Sequence, residues 1–202
     1  MKKLFIATAA VALAVSVMAG PGYVTKSASG NAASPASVIL PADPSTTLRL
    51  VTVNWSSDTN NAVLSIADGS TAYSIVETNV SSTSVTNKIN STNGLSANAV
   101  LVLQQGSTCY AATVSSWSAT TNSGAGGGTN VVLASGGWGV NTRVGDAVYL
   151  MNTPTTLPVG ATTNWQSGTA IFGATYPGRP IRVVLTPALA TNKLNSVVGR
   201  YE

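Results

Sequence analysis

The sequence predicts an all-β protein, an antiparallel β-sandwich with a small β-barrel-like lobe inserted into it. Three observations lead there. Short runs rich in Val, Leu, Ile, Thr and Tyr recur along the chain, separated by Gly, Asn, Asp and Pro. No stretch carries the 3.6-residue apolar period of a long helix. The strong runs near 47–77 and 181–201 bracket a separate set of short strands, so the outer runs are expected to pair with each other while the central set closes on itself. A single jelly-roll, with every strand in two continuous sheets, is the alternative.

Taken in order, residues 1–19 read as a secretory signal. Lys2 and Lys3 form the basic start, 4–18 the apolar run, and Val17-Met18-Ala19 a small-residue cleavage site. The apolar run is shorter than the ~20 residues that span a bilayer. No cysteine follows it to carry a lipid, and no hydrophobic tail closes the chain. The expected product is secreted or held at the cell surface, with no membrane span in its mature form. Residues 20–37, rich in Gly, Ala, Ser and Asn without a period, read as a flexible arm. Continued into 37–40, that arm could dock as a strand on a neighbouring copy.

Residues 47–58 are the first strong strand. Val51, Val53 and Trp55 fall on one face and Leu48, Leu50, Thr52 and Asn54 on the other, which predicts a central strand covered on both sides. Strands follow at 62–67 and 71–77, with a reversal at Asp68-Gly69, and a weaker one at 84–89. The sandwich is thus expected from 38–89 and 153–202, and the inserted lobe from 90–152. The lobe opens at the turn Asn93-Gly94 and gives strands at 100–103, 108–116, 130–133 and 147–151, the last entered through Gly145-Asp146. Pro154 and Pro158 mark a connection, and strands at 168–172, 181–185 and 194–201 complete the chain.

Composition narrows the function. Only 8% of residues are charged, against roughly 25% in an ordinary soluble domain, so Ser, Thr, Asn and Gly must cover the surface. The net charge of +4 includes Lys2 and Lys3 of the leader and falls to +2 without them. Arg143, Arg179, Arg182 and Arg200 are scattered, which gives no stripe for nucleic acid. Cys109 is the only cysteine; its two readings are a small buried hydrophobe and a bridge between copies. The chain has no histidine, which removes Ser-His-Asp and Cys-His catalysis and His-bound zinc. A Ser-x-x-Lys dyad also fails, because Val85 and Ala190 stand three before Lys88 and Lys193.

Carboxylates remain, and an enzyme reading would rest on Asp58 and Asp68 as a glycosidase pair. The aspartates sit in turns that favour them for local hydrogen bonding. No calcium loop is present, and Gly124-Ala125-Gly126-Gly127-Gly128 lacks the Lys and the following helix of a phosphate cradle. No cofactor or metal is expected.

Recognition falls to the tryptophans. Trp55 shares a strand face with valines and reads as core, whereas Trp138, flanked by glycines, and Trp165 lie in loops and are the candidates for stacking on a glycan. The final strand, with Leu194, Val198 and a penultimate Tyr201, is similar over about eight residues to the last strand of pilus subunits that assemble by donor-strand exchange. That resemblance implies an assembly strand, although the disulfide usual in those subunits cannot form here. The rhythm of short strands from Gly94 to Met151 also looks like β modules of phage virion and bacterial surface proteins. The expected function is an exported, non-enzymatic structural or adhesive protein that associates with itself, in a filament or surface assembly. The alternatives are a carbohydrate-binding module and a virion surface protein, either decoration or capsid-associated.

Overall fold

The computed structural model describes residues 22–31, 33–41, 45–58, 62–69, 72–118, 129–134, 136–151, 155–156, 166–171, 175–177, 179–186 and 191–202. Residues 1–19, expected to be a secretory signal, and Trp165 lie outside them. The described residues form fifteen strands and no helix: β1 Tyr23–Ser29, β2 Ala36–Leu40, β3 Thr47–Ser57, β4 Val63–Asp68, β5 Ser74–Ile75, β6 Thr86–Ile89, β7 Val100–Gln105, β8 Thr108–Ser118, β9 Thr129–Leu133, β10 Ala147–Leu150, β11 Thr155–Thr156, β12 Gln166–Ile171, β13 Thr175–Pro177, β14 Ile181–Thr186 and β15 Lys193–Tyr201.

Two sheets make the sandwich. One has the order β1-β15-β3-β12, with β13 also on β3, and the other β11-β4-β14-β2. Leu48, Leu50, Val53, Trp55, Leu194 and Val197 from the first meet Val38, Leu40, Leu64, Ile66, Ile181, Val183 and Leu185 from the second in one core. Contrary to the alternation expected for β3, Leu48, Leu50, Val53 and Trp55 all enter that core. The cause is a bulge: β15 pairs Val198 with Thr52 but Gly199 with Leu50, so Val51 is an extra residue that shifts the side-chain phase by one. A second bulge at Asn195 does the same for β15.

The third sheet, β5-β10-β7-β8-β9-β6, curls until its ends meet. A bridge pairs Val76 with Ile89, and the backbone bonds Glu77 N to Lys88 O (2.8 Å) and Asn90 N to Ile75 O (3.0 Å) close the seam. Ile89, Leu101, Leu103, Tyr110, Val114, Val131, Leu133 and Val148 fill this barrel. Its tightest hairpin joins β7 to β8 through Gly106-Ser107. Gly106 takes φ 60° there, as the first position of a type II′ turn requires. The chain therefore builds a sandwich and an inserted barrel-like lobe, with separate cores.

Two expectations are corrected. Residues 23–29, read as part of a flexible arm, form β1 on the edge of β15, and 36–40 form β2 on β14. The Gly- and Ser-rich surroundings hid β1, whose apolar face is only Val24 and Ala28, both packed against the sandwich core. The lobe also begins earlier than Asn90. Ser74 and Ile75 pair with β10, and β6 pairs with β9, so both belong to the barrel and not to the sandwich.

Candidate functional site between the lobes

Strand β14 positions everything that follows. Ile181, Val183 and Leu185 point into the sandwich core, which turns Arg182 and Val184 toward the barrel. Val184 joins Ala67, Val102, Cys109 and Tyr149 in a third buried cluster between the lobes. Arg182 lies in the same seam, only 4% exposed. Its Nε donates to Gln104 Oε1 at 2.5 Å and its Nη1 to Gly69 O at 2.9 Å. The guanidinium stacks 3.3 Å from the centroid of the Tyr149 ring. Gly69 and Arg182 come from the sandwich, Gln104 and Tyr149 from the barrel, so one side chain ties the two lobes. Burial lowers the Arg182 pKa from its ordinary value, while Tyr149 and Cys109 act in the opposite direction. Arginine nonetheless remains a cation at neutral pH.

Cys109 is fully buried beside this clamp. Burial pushes its thiol up to about 12, with Arg182 pulling the other way. Its backbone N–H donates to Ser37 Oγ of β2 at 3.1 Å. The thiol is a seam-packing group, and a bridge between copies could reach it only by opening the seam.

Past the clamp the two lobes diverge and leave a cleft of about 510 Å³. The sandwich wall carries Val63, Ser65 and Thr186, with Ala33 and Pro35 from the approach to β2; the barrel wall carries Ala111 and Thr113 of β8 and the turn around Gly136, Gly137 and Trp138. Among the described residues no charged side chain lines it. Because Leu64 and Ile66 enter the sandwich core, Ser65 on the same strand faces the other way, toward the cleft. Ser65 is 1% exposed and its hydroxyl has no hydrogen-bond partner. The indole Nε1 of Trp138 is likewise buried without one.

Trp138 is therefore a wall rather than an exposed platform. It is 5% exposed and packs into the barrel core, held by a turn in which Gly137 at φ 55° lies against the Ser84 carbonyl. Trp165 lies outside the described residues. Among the described residues the tryptophan with exposed surface is Trp117 on β8, directly opposite Val131 of β9. The sequence signal for its exposure was its setting among Ser115, Ser116 and Ser118. Arg182 was legible too, as a lone charge at an alternate position of an apolar strand.

The C-terminal strand sits differently from an assembly strand awaiting a partner. β15 lies between β1 and β3, so both of its hydrogen-bonding edges are used within the chain. Leu194 is core, Val198 sits between Thr25 and Thr52, and the Tyr201 hydroxyl donates to Pro41 O at 3.0 Å. Asp58, Asp68 and Asp146 hold local structure. Asp58 ends β3 and accepts from Thr191, Asp68 ends β4 and pairs with Arg179 at 3.4 Å, and Asp146 accepts from Gln105 Nε2 (2.6 Å) and Arg143 N (2.8 Å). Asp58 and Asp68 thus close strands of different sheets with different partners. Among the described residues no group of His, Cys, Asp and Glu is placed to hold a metal ion, and no helix is long and apolar enough to cross a membrane.

Comparison with protein-family models, curated proteins and solved structures finds no match to this chain.

Proposed function

We propose that the chain is an exported, non-enzymatic structural or adhesive protein that associates with copies of itself outside the cell. The observation that carries this reading is the seam. Two β lobes are tied by a buried cluster and by Arg182, which bonds both lobes at once. Such a body suits a building block better than an enzyme that closes on its substrate, because packed interfaces resist continuous deformation. The structural partners of Asp58, Asp68 and Asp146 support the non-catalytic part. The low-charge, hydroxyl-rich composition supports an extracellular setting.

Since β15 is committed within the chain, association falls to other surfaces, among them the outer edge of β1, an edge strand of the first sheet. Sedimentation velocity and negative-stain microscopy of the mature protein test the proposal. Oligomers or filaments that grow with concentration are expected, and a strictly monomeric particle at high concentration would overturn the assembly role. A glycan-binding role is the second reading, favoured by the uncharged cleft.

A further inference from the structure

The cleft has three properties that together describe what would fill it. Its volume, about 510 Å³, falls within the ~300–1,000 Å³ of small-molecule sites, which occur preferentially where domains meet. Its lining alternates small apolar groups, such as Ala111, Ala134 and Val63, with hydroxyls, such as Ser65, Thr113 and Thr186. Among the described residues it presents no cation and no carboxylate. An ionised ligand would therefore lose its hydration without gaining a counter-charge, which is unfavourable in a partly buried site.

The second, independent observation is the unsatisfied hydroxyl of Ser65, which faces the cleft and is cut off from solvent. A buried hydroxyl without a partner is unfavourable, and it is relieved by a ligand group that donates and accepts. Thr186 does not serve, because its hydroxyl is already directed at Val63 O, 3.3 Å away.

From these observations we infer that the cleft between the lobes is a binding site for a neutral saccharide of one to three rings. A sugar ring offers a C–H face to Val63 and the alanines, and hydroxyls that both donate and accept to Ser65. A hydrocarbon ligand would leave Ser65 unpaired, and an acidic sugar would bury its charge alone. The inference rests on the adhesive part of the proposed function. It fails separately from it, since assembly is read by sedimentation without sugar.

Isothermal titration of the full mature chain against glucose, N-acetylglucosamine and their neutral trimers tests the site, with glucuronic and sialic acid as charged comparators. Saturable binding of at least one neutral sugar is expected, with the acids at least tenfold weaker. Thr113→Trp, which fills the cleft from the β8 wall, should weaken binding more than tenfold. Ser65→Ala should weaken it about fivefold, the loss of one neutral hydrogen bond, with the melting temperature unchanged or raised. If Thr113→Trp does not fold, Ser65→Ala carries the test. Three results would each overturn the inference: no neutral sugar binding at tens of millimolar, binding unchanged in the folded variants, or acidic sugars binding as tightly.

Discussion

The two ends of the seam lie between the same two lobes and reach opposite outcomes. At the closed end, β14 and β10 present Arg182, Val184 and Tyr149, side chains large enough to cross the gap between two curved sheets. At the open end, β4 and β8 present Ser65, Ala111 and Thr113, which are too short to meet. Twisted sheets diverge as they extend, so whether a given row becomes core or cleft is decided by side-chain length. The lesson is that one interface can join two lobes and still leave room between them. The comparison is broken by shortening the closed end or disturbing the wall of the open one.

The largest effect is expected at Arg182. Alanine there removes the stacked guanidinium, strands Gln104 Oε1 and Gly69 O, and leaves a hole against Tyr149. Hydrogen bonds to a charged group and the lost packing together amount to about 3 kcal/mol or more. Urea denaturation should show this. Arg182→Met, which keeps the bulk of the stem and drops the charge, should cost less. If the two variants unfold alike, the clamp acts through its polar contacts and not through packing.

Next comes the glycine turn that walls the cleft. At Gly137 a Cβ would stand 2.2 Å from Ser84 O, with φ at 55°, so Gly137→Ala meets both a backbone clash and left-handed strain. A loss of about 2–3 kcal/mol is expected. Gly136 has positive φ but open space around its Cβ position, so Gly136→Ala should cost about 1 kcal/mol from conformation alone. Thermal melts of the two variants side by side separate the steric part from the conformational part.

Much of the architecture was written in local chemistry, and the site was not. Gly145-Asp146 and apolar runs such as 100–103 and 181–185 place strands because each acts over a few residues, whereas Asp68-Gly69, expected to reverse the chain, leads from β4 of the sandwich to β5 of the barrel. The bulge at Val51 was illegible because an extra residue in a continuous apolar run leaves the composition unchanged while inverting every face after it. β1 was illegible because its two core-facing residues, Val24 and Ala28, are separated by Thr25, Lys26 and Ser27, and its pairing with β15 is a contact distant in sequence. The cleft was hidden for a further reason. Ser65, Ala111, Ala134 and Gly136 carry no distinctive chemistry, and only the divergence of two sheets brings them face to face.

Cys109 gives a smaller, pH-dependent test of the closed end. Its folded thiol sits at about 12, whereas an exposed thiol titrates near 8.5. Below that lower value both states hold the proton and Cys109 adds no pH dependence. Above it the unfolded chain releases the proton while the seam retains it, so stability falls as pH rises toward 12, by up to about 1.4 kcal/mol per unit. Cys109→Ala should lack this component. Denaturation of both proteins at pH 8 and pH 10 should show the gap between them narrowing or reversing at the higher value. A gap independent of pH would mean that the thiol is open to water, and so that the closed end is not closed.

The smallest effect is expected at Ser65, and its sign matters more than its size. The hydroxyl is buried and unpartnered, so Ser65→Ala removes a group that is desolvated in the folded protein and hydrated in the unfolded one. Truncating an ordinary buried serine that makes a hydrogen bond destabilises by about 1 kcal/mol; here the change should be zero or stabilising by up to about 1 kcal/mol. A clear destabilisation would show that Ser65 makes a bond within the sandwich, and that the open end of the seam has no polar group waiting for a ligand. A neutral or stabilising result, together with weaker sugar binding, assigns the hydroxyl to the cleft and separates the two ends of the seam by purpose as well as by shape.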